Sequence, residues 1–527
     1  MYAITVKRLA EARDIASSEW VLRALLVLVV VLGGAIFWLA PHPPMVDLPQ
    51  HAAQVAALHD FLLGASPWVS LLRINLFTPY LAGYGLALAL SFVMPVTVAI
   101  KVLLTLAYYG FVWACVQLRK QFAGDARIDW LFVPSFFGFA YDFGLFTFLI
   151  AAPLALWFVL LARRYAEQSS VSSGATLVIA DIALFFSHGL LFLFANAIGV
   201  AFIVFRRRAP ARTVLLLMPY ALPGMLCAAY ALVQARANFA TNNLPIGVQW
   251  FWGARCFMFF SAPWGFSRHA LIFMPAGILM LAIPWGMGLR IRREPATLAP
   301  FALTLVVWFC VPSYAANTGL LFERFALFIL PFYALMFASA DCADAACSNS
   351  GGRTVFYQAV LALACVLFLG SQANRTLEFA AESADFDRVM AAVEPAQRAL
   401  AINAESSSPA TGVPNQYDHH ALWYQAEHHG FVDFNFAWYP PQILRYRLDQ
   451  LPAVGPSDIV DQRRFYETFN WGRSRARIYR YFFIHHTASI RPDLFKNDEC
   501  QVALLATAGS WSVYENRTCR SATTTTS

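Results

Sequence analysis

Apolar runs of bilayer-crossing length recur through most of the first 371 residues. About 18 or more such residues in a row is what a helix needs to span the hydrocarbon. The runs therefore restrict the chain to a polytopic α-helical membrane protein. Charge agrees with this. Of 527 residues 59% are hydrophobic and 13% charged, where soluble domains carry about a quarter charged. The formal net charge of +7 calls for no nucleic acid, because Lys and Arg gathered on the cytoplasmic side as a topology signal account for it.

Basic clusters stand at Arg119/Lys120, Arg163/Arg164, Arg206/Arg207/Arg208 and Arg290/Arg292/Arg293. The positive-inside rule assigns them, and the N-terminus with Lys7, Arg8, Arg13 and Arg23, to the cytoplasm. The first run, near 20–40, is longer than a signal-peptide core and has no convincing cleavage site, which predicts a retained anchor. Paired spans are expected at 128–142 and 145–163, 173–188 and 190–206, 212–234 and 270–289, and 298–314 and 323–340, with a last span at 354–371. Counting 76–93 as a crossing would invert every later basic loop. Thr78-Pro79, Gly83 and Gly85 suit a juxtamembrane or re-entrant segment there, which requires protein cover or water. The expected architecture is about eleven spans plus juxtamembrane helices. Residues 1–371 form the transmembrane domain, with a first outer loop at 41–94, and 372–527 form an extracytoplasmic soluble α/β domain. The setting is a bacterial inner (plasma) membrane, with the tail periplasmic.

The outer side then collects the polar residues. In PHPPMVDLPQHAAQVAALHDF, residues 41–61, helical spacing places Asp47, His51 and Gln54 on one side of a surface helix and Leu48, Val55 and Leu62 on an adjacent apolar side. Asp47 and Gln50 also read as a capping-box start with Pro49 in the first turn, and metal ligation by Asp47 and His51 is a third reading. Lys101 lies near the outer end of the second span, where a buried cation costs about 3 kcal/mol unless it is paired or snorkels. Asp142 sits at an outer turn and could cap a helix. Asp181 is nearer mid-span. His188 lies in an SHG turn, where a structural role is the common one. Glu323-Arg324 opens a later span and could be a self-satisfying pair. Taken together, Lys101, His188 and Arg324 put donors at one membrane level beside carboxylates. That is what binding a lipid-linked phosphate and activating a hydroxyl require.

The tail reads as a mixed domain. SADFDRVMAAVE suggests a helix and RALAIN, YRYFFIHH and QVALLATA strands, with GSWSVYENR returning as a hairpin. Cys500 and Cys519 bracket that hairpin and are expected to form a disulfide in an oxidising compartment, two free thiols being the alternative. The segment YDHHALWYQAEHHGFVDFNFAWYPPQILRYR offers His419, His420, Trp423 and Tyr424 as glycan contacts together with Glu323, or as ordinary packing. Its adjacent His pairs lack zinc spacing and no cysteine joins them, so no metal ligands are assigned.

The order of these elements resembles the GT-C superfamily of membrane glycosyltransferases, which includes protein O-mannosyltransferases and the aminoarabinose transferase of lipid A. The resemblance rests on VDLPQHAAQVAALHDFL with Asp47 in the acidic place, FTPYLAGYGLALAL, PVTVAIKVLL with Lys101 and QLRKQFAGD. It continues in SFFGFAYDFGLF with Asp142, FSHGLLF with His188 and ERFALFILPFYALMFASA with Arg324. Many relatives pair acidic residues at the first position, where this chain has Asp47 followed by Leu48, and some carry lysine where His188 stands.

The resemblance implies a GT-C-like fold and transfer of a sugar from a polyprenyl-phosphate donor to a glycan, lipid or protein acceptor at the outer face of the inner membrane, with inversion. It implies Asp47 as base, Lys101, His188 and Arg324 on the donor phosphate, and His51 and Asp142 as acceptor or supporting groups. No cofactor is implied firmly, and a divalent cation is compatible with the site. The competing reading is a non-catalytic lipid-linked glycan binder or transporter of the same architecture. A transporter should carry inverted repeats, and none is visible.

Overall fold

The computed structural model describes residues 2–206, 208–241, 247–315, 318–339, 351–459 and 461–519. The chain divides into two compact units, each drawn from separated stretches. The first comprises Met1–Leu39, Leu104–Cys227 and Ile246–Arg375, and the second Ala40–Leu103, Ala228–Pro245 and Thr376–Ser527.

The first unit is helical. Five described helices of the chain have the length and hydropathy of a membrane crossing: Glu19–Trp38, Val96–Gln121, Phe146–Glu167, Pro210–Gln234 and Gly352–Met390. Five further apolar helices are shorter, at 10–17 residues, so crossing-length helices do not reach the expected eleven. Two of the expected spans are not single helices. Residues 128–142 are broken into a 3-10 turn, Ala126–Leu131, and two one-turn helices, Phe132–Ser135 and Phe139–Asp142. Pro134 and Gly138 interrupt the run; Gly138 is extended, at φ −83° and ψ −151°. Residues 323–340 give a short turn, the ten-residue helix Ala326–Leu335 and a two-residue strand.

The stretch 76–93 yields only the 11-residue helix Leu81–Ser91. At 1.5 Å per residue it covers about 16 Å, half the hydrocarbon thickness. The last helix differs in the other direction, running unbroken for 40 residues from Gly351 to Met390. SQANRTLEFAAE holds neither Pro nor Gly, so nothing ends the expected last span before the tail's expected helix, and the two fuse.

Several basic clusters are knitted by ion pairs. Arg119 grips Asp129 with two bonds of 3.0 Å, and Arg163 meets Glu167 at 2.6 Å and Glu294 at 2.8 Å.

The second unit centres on a five-stranded sheet in the order Phe431–Asp433, Arg398–Ala401, Tyr481–His485, Trp511–Cys519, Cys500–Ala508. The first three strands are mutually parallel and the last two pair antiparallel. Cys500 and Cys519 face each other in the hairpin register and are joined by a disulfide, Cα to Cα 4.0 Å.

The first outer loop belongs to this same unit. Leu72–Ile74 pairs antiparallel with Leu444–Tyr446. Helix Leu48–Leu62 is buried on nearly every side from Leu48 to Leu58, where a one-sided surface helix is the sequence expectation. Tail backbone supplies the reason. Gln54 Oε1 accepts the Leu444 amide at 3.0 Å, and Gln50 Oε1 accepts the Phe436 amide at 2.8 Å. With its polar side satisfied by fixed donors, the helix can be enclosed without leaving polar groups unpaired.

Candidate functional site

Asp47 stands at the N-terminal boundary of helix Leu48–Leu62, yet its carboxylate caps no amide of the first turn. It faces His419 instead, with Oδ1 3.5 Å from Nε2. The other nitrogen of that ring, Nδ1, lies 3.1 Å from Gln50 Nε2. Gln50 is thus engaged with the tail at both ends of its amide and does not close a capping box.

His51 sits one turn along. Its Nδ1 is 2.7 Å from the Tyr84 hydroxyl, which donates to Gln442 Oε1 at 2.5 Å. Burial, and then the charge of His419, push the His51 imidazole down to about 3. Burial, then Tyr80, then the nearby Asp47 charge hold the Tyr84 phenol well above its usual value. His51 is therefore neutral at physiological pH, a proton acceptor or hydrogen-bonding partner and not a cation. The tail contributes the aromatic walls: Phe436 packs on both His51 and His419, at 5.5 and 5.8 Å between ring centres.

Lys101 belongs to the same unit and is buried. Its Nζ donates to the Ala40 carbonyl at 2.6 Å, and Glu427 is the charge that acts on it. Glu427 Oε1 in turn receives Thr97 Oγ1 and His42 Nε2, both at 2.8 Å. Burial works against the Glu427 carboxylate, but the bond and charge of His42 and the bond of Thr97 together hold it below the usual carboxylate range. His42 stacks on Trp423 at 4.3 Å. Lys101 is thus bonded to a backbone carbonyl within the charge field of Glu427. Sequence reasoning missed His42 and Glu427. Both lie in the segments it singled out, but a lone acid in YQAEHHG looks like any solvated charge.

Other candidates from the tail are packing residues. His420, Trp423 and Tyr424 are each no more than 2% exposed. His420 sits among the Phe386, Tyr417 and Trp511 rings. Tyr424 donates to the Glu394 carbonyl at 2.6 Å. Of the four tail residues offered as glycan contacts, His419 is the one placed against Asp47 among the described residues.

The helical unit holds the rest. Asp142 is buried, with Oδ2 accepting the Phe266 amide at 3.0 Å and Oδ1 3.7 Å from Arg375 Nη2. Gly265 makes this possible. Its φ is +119°, and a Cβ there would meet Asp142 Oδ2 at 2.2 Å. Arg375 also donates to Gln372 Oε1 at 3.2 Å. Asp142 thus ties the 262–267 turn to the long helix Gly351–Met390. Asp142→Ala is expected to lower stability by about 3–5 kcal/mol, because it takes the carboxylate from beside a buried guanidinium. A fall in the melting temperature of the purified protein checks this; unchanged melting with lost activity would instead mark Asp142 as a binding group.

His188 and Arg324 meet over one ring in this unit. The His188 imidazole lies edge-on to Phe148 at 5.2 Å, and the Arg324 guanidinium stands 5.7 Å from the same ring. Arg324 donates to the Leu320 and Gly319 carbonyls, each at 2.7 Å. Glu323 accepts the Ser313 hydroxyl. Asp181 accepts the Asn196 amide at 2.6 Å. Among the described residues no cluster of three or more His, Cys, Asp or Glu is disposed to hold a metal ion.

The sequence matches no family model and no curated protein. The folded chain does match solved structures. ArnT from Cupriavidus metallidurans, in a crystal structure with bound undecaprenyl phosphate, aligns over 95% of this chain and 98% of its own, with 10% identity and a TM-score of 0.52. The fold is of the GT-C type. The arabinofuranosyltransferase AftD from Mycobacteria also aligns, over 94% of this chain, at 14% identity and a TM-score of 0.49. This chain spans only 40% of its length. The alignment with ArnT includes residues of both units.

Proposed function

We propose that the chain is a membrane glycosyltransferase that moves a sugar from a polyprenyl-phosphate donor to a hydroxyl acceptor at the outer face of a bacterial inner membrane. The observation that carries this is a GT-C fold over nearly the whole chain in which Asp47, the acidic residue of the first outer loop's leading edge, makes no cap bond to its helix and lies against a histidine. ArnT, the structural neighbour, holds undecaprenyl phosphate, which supports a lipid of that class here.

The acceptor oxygen attacks the anomeric carbon, and the bond from that carbon to the phosphate oxygen breaks. Inversion follows from a single displacement. Asp47 takes the acceptor proton. The phosphate is already a competent leaving group, so charge stabilisation matters more than acid catalysis. Lys101 is the proposed phosphate cation, and Arg324 and His188 are further candidates for that role. His51, neutral, positions the acceptor hydroxyl.

The test reconstitutes the protein in lipid and presents undecaprenyl-phosphate-linked pentoses and hexoses, with release of undecaprenyl phosphate as the readout. Lys101→Ala is expected to lower turnover about 100-fold or more, the scale of removing one positioned charge at a developing anion. Lys101→Arg should retain part of it. Equal turnover in wild type and Lys101→Ala would remove Lys101 from the reaction.

A further inference from the structure

We infer that His419, carried on the C-terminal tail, is a positioning residue for Asp47, and that Gln50 sets the tautomer in which it works. The inference rests on the proposed reaction and adds a group from the far end of the chain to it.

The argument follows the hydrogens. The Phe436 amide can only donate, and it donates to Gln50 Oε1 at 2.8 Å. This fixes the Gln50 side chain, so its Nε2 is the end that faces His419 Nδ1 at 3.1 Å. A primary amide nitrogen donates and does not accept. Nδ1 must therefore offer its lone pair, and the single proton of the neutral ring lies on Nε2. Nε2 is the atom directed at Asp47 Oδ1, 3.5 Å away. That separation is at the outer limit of a hydrogen bond, and contacts of this kind shorten when substrate fills a site.

The ring stays neutral at working pH: burial holds His419 down at about 4, against the opposing pull of the Asp418 backbone carbonyl, which also accepts from this ring. A neutral donor orients the carboxylate and leaves its proton affinity intact; an imidazolium at the same place would weaken it as a base. Phe436 braces the arrangement twice, by its amide on Gln50 and by its ring against His419.

The experiment uses the full chain in lipid nanodiscs, the same undecaprenyl-phosphate sugars and the 15N spectrum of the His419 ring. His419→Phe keeps the ring packing and removes the donor. It is expected to lower kcat about 10- to 100-fold, the size of one hydrogen bond to a charged group, with KM for the donor little changed. His419→Gln, which can present an N–H at the same place, should recover most of that loss. The wild-type spectrum should show Nε2 protonated and Nδ1 bare. Gln50→Glu, which must accept from Nδ1, should move the proton there or protonate both nitrogens, and lower kcat with it.

Wild-type kcat in His419→Phe, or a wild-type ring protonated on Nδ1, overturns the inference. If Asp47→Asn is inactive while His419→Phe is fully active, the relay falls and the glycosyltransferase reading stands. If Asp47→Asn is fully active, both fall.

Discussion

Asp47→Asn is expected to abolish the proposed sugar transfer and to leave the protein folded. Removing a general base is expected to lower the rate by about 10² to 10⁴-fold, enough to take turnover to background in a membrane assay. The fold should survive because Asp47 contributes no cap to helix Leu48–Leu62. Asn is also nearly isosteric, and its carbonyl can still accept from His419. Two measurements check this together: release of undecaprenyl phosphate from the donor, and the melting temperature of the same preparation. Transfer at the wild-type rate would remove Asp47 as the base. Lost transfer with an early-melting protein would show instead that the carboxylate holds the loop to the tail.

The second large effect is acid sensitivity of the mixed unit. His51, His419, His420 and His485 are all kept neutral by burial. His51 is pushed down to about 3, His419 and His485 to about 4, and His420 well below its ordinary value. In the unfolded chain each would bind its proton near 6.5. The unfolded state therefore takes up more protons as pH falls. The stabilisation is fully present above about 6.5 and is withdrawn as pH drops toward the folded values. By pH 4.5 each such histidine withdraws on the order of 2–3 kcal/mol.

Burial acts in the opposite sense on Asp418, pushed up to about 7, and on Asp433, also raised, so it offsets part of the loss. The Glu427 and Glu405 carboxylates, held below their usual range, add to it. Hydrogen exchange on residues 40–103 and 376–519 between pH 7.5 and 4.5 should show this unit opening at the acid end. His420→Phe should move the opening to lower pH, since its neighbours are the Phe386, Tyr417 and Trp511 rings. Exchange that stays flat across that range would refute the account.

Periodicity and turn residues made the helical class, the tail sheet and the short helix after Thr78-Pro79 legible, because those signals are local. Two failures have local causes that were present but underweighted. Pro134 and Gly138 break an apolar run counted as one span, and the stretch after residue 371 lacks any residue that would stop a helix. The larger omission is of another kind. Nothing in VDLPQHAAQ says that Gln50 and Gln54 accept amides from Phe436 and Leu444. Those donors are backbone, which every residue offers, and they lie almost four hundred positions away. The cap and the base are comparable readings of Asp47 in the sequence, with metal ligation a lesser one, and the segment itself does not choose between them. The same holds for Glu427 and His42, whose meaning comes from each other.

The pairing of Leu72–Ile74 with Leu444–Tyr446 also orders events in time. A ribosome delivers the first segment long before the second. Until residues 436–446 have been made, the early strand has no partner beside it and the two glutamines lack the amides they accept. The nascent chain must keep that region from aggregating at the membrane surface throughout synthesis. A stop before residue 444 would remove the strand that pairs with Leu72–Ile74 and the amide that Gln54 accepts, so the later segment is a condition for closing the earlier one.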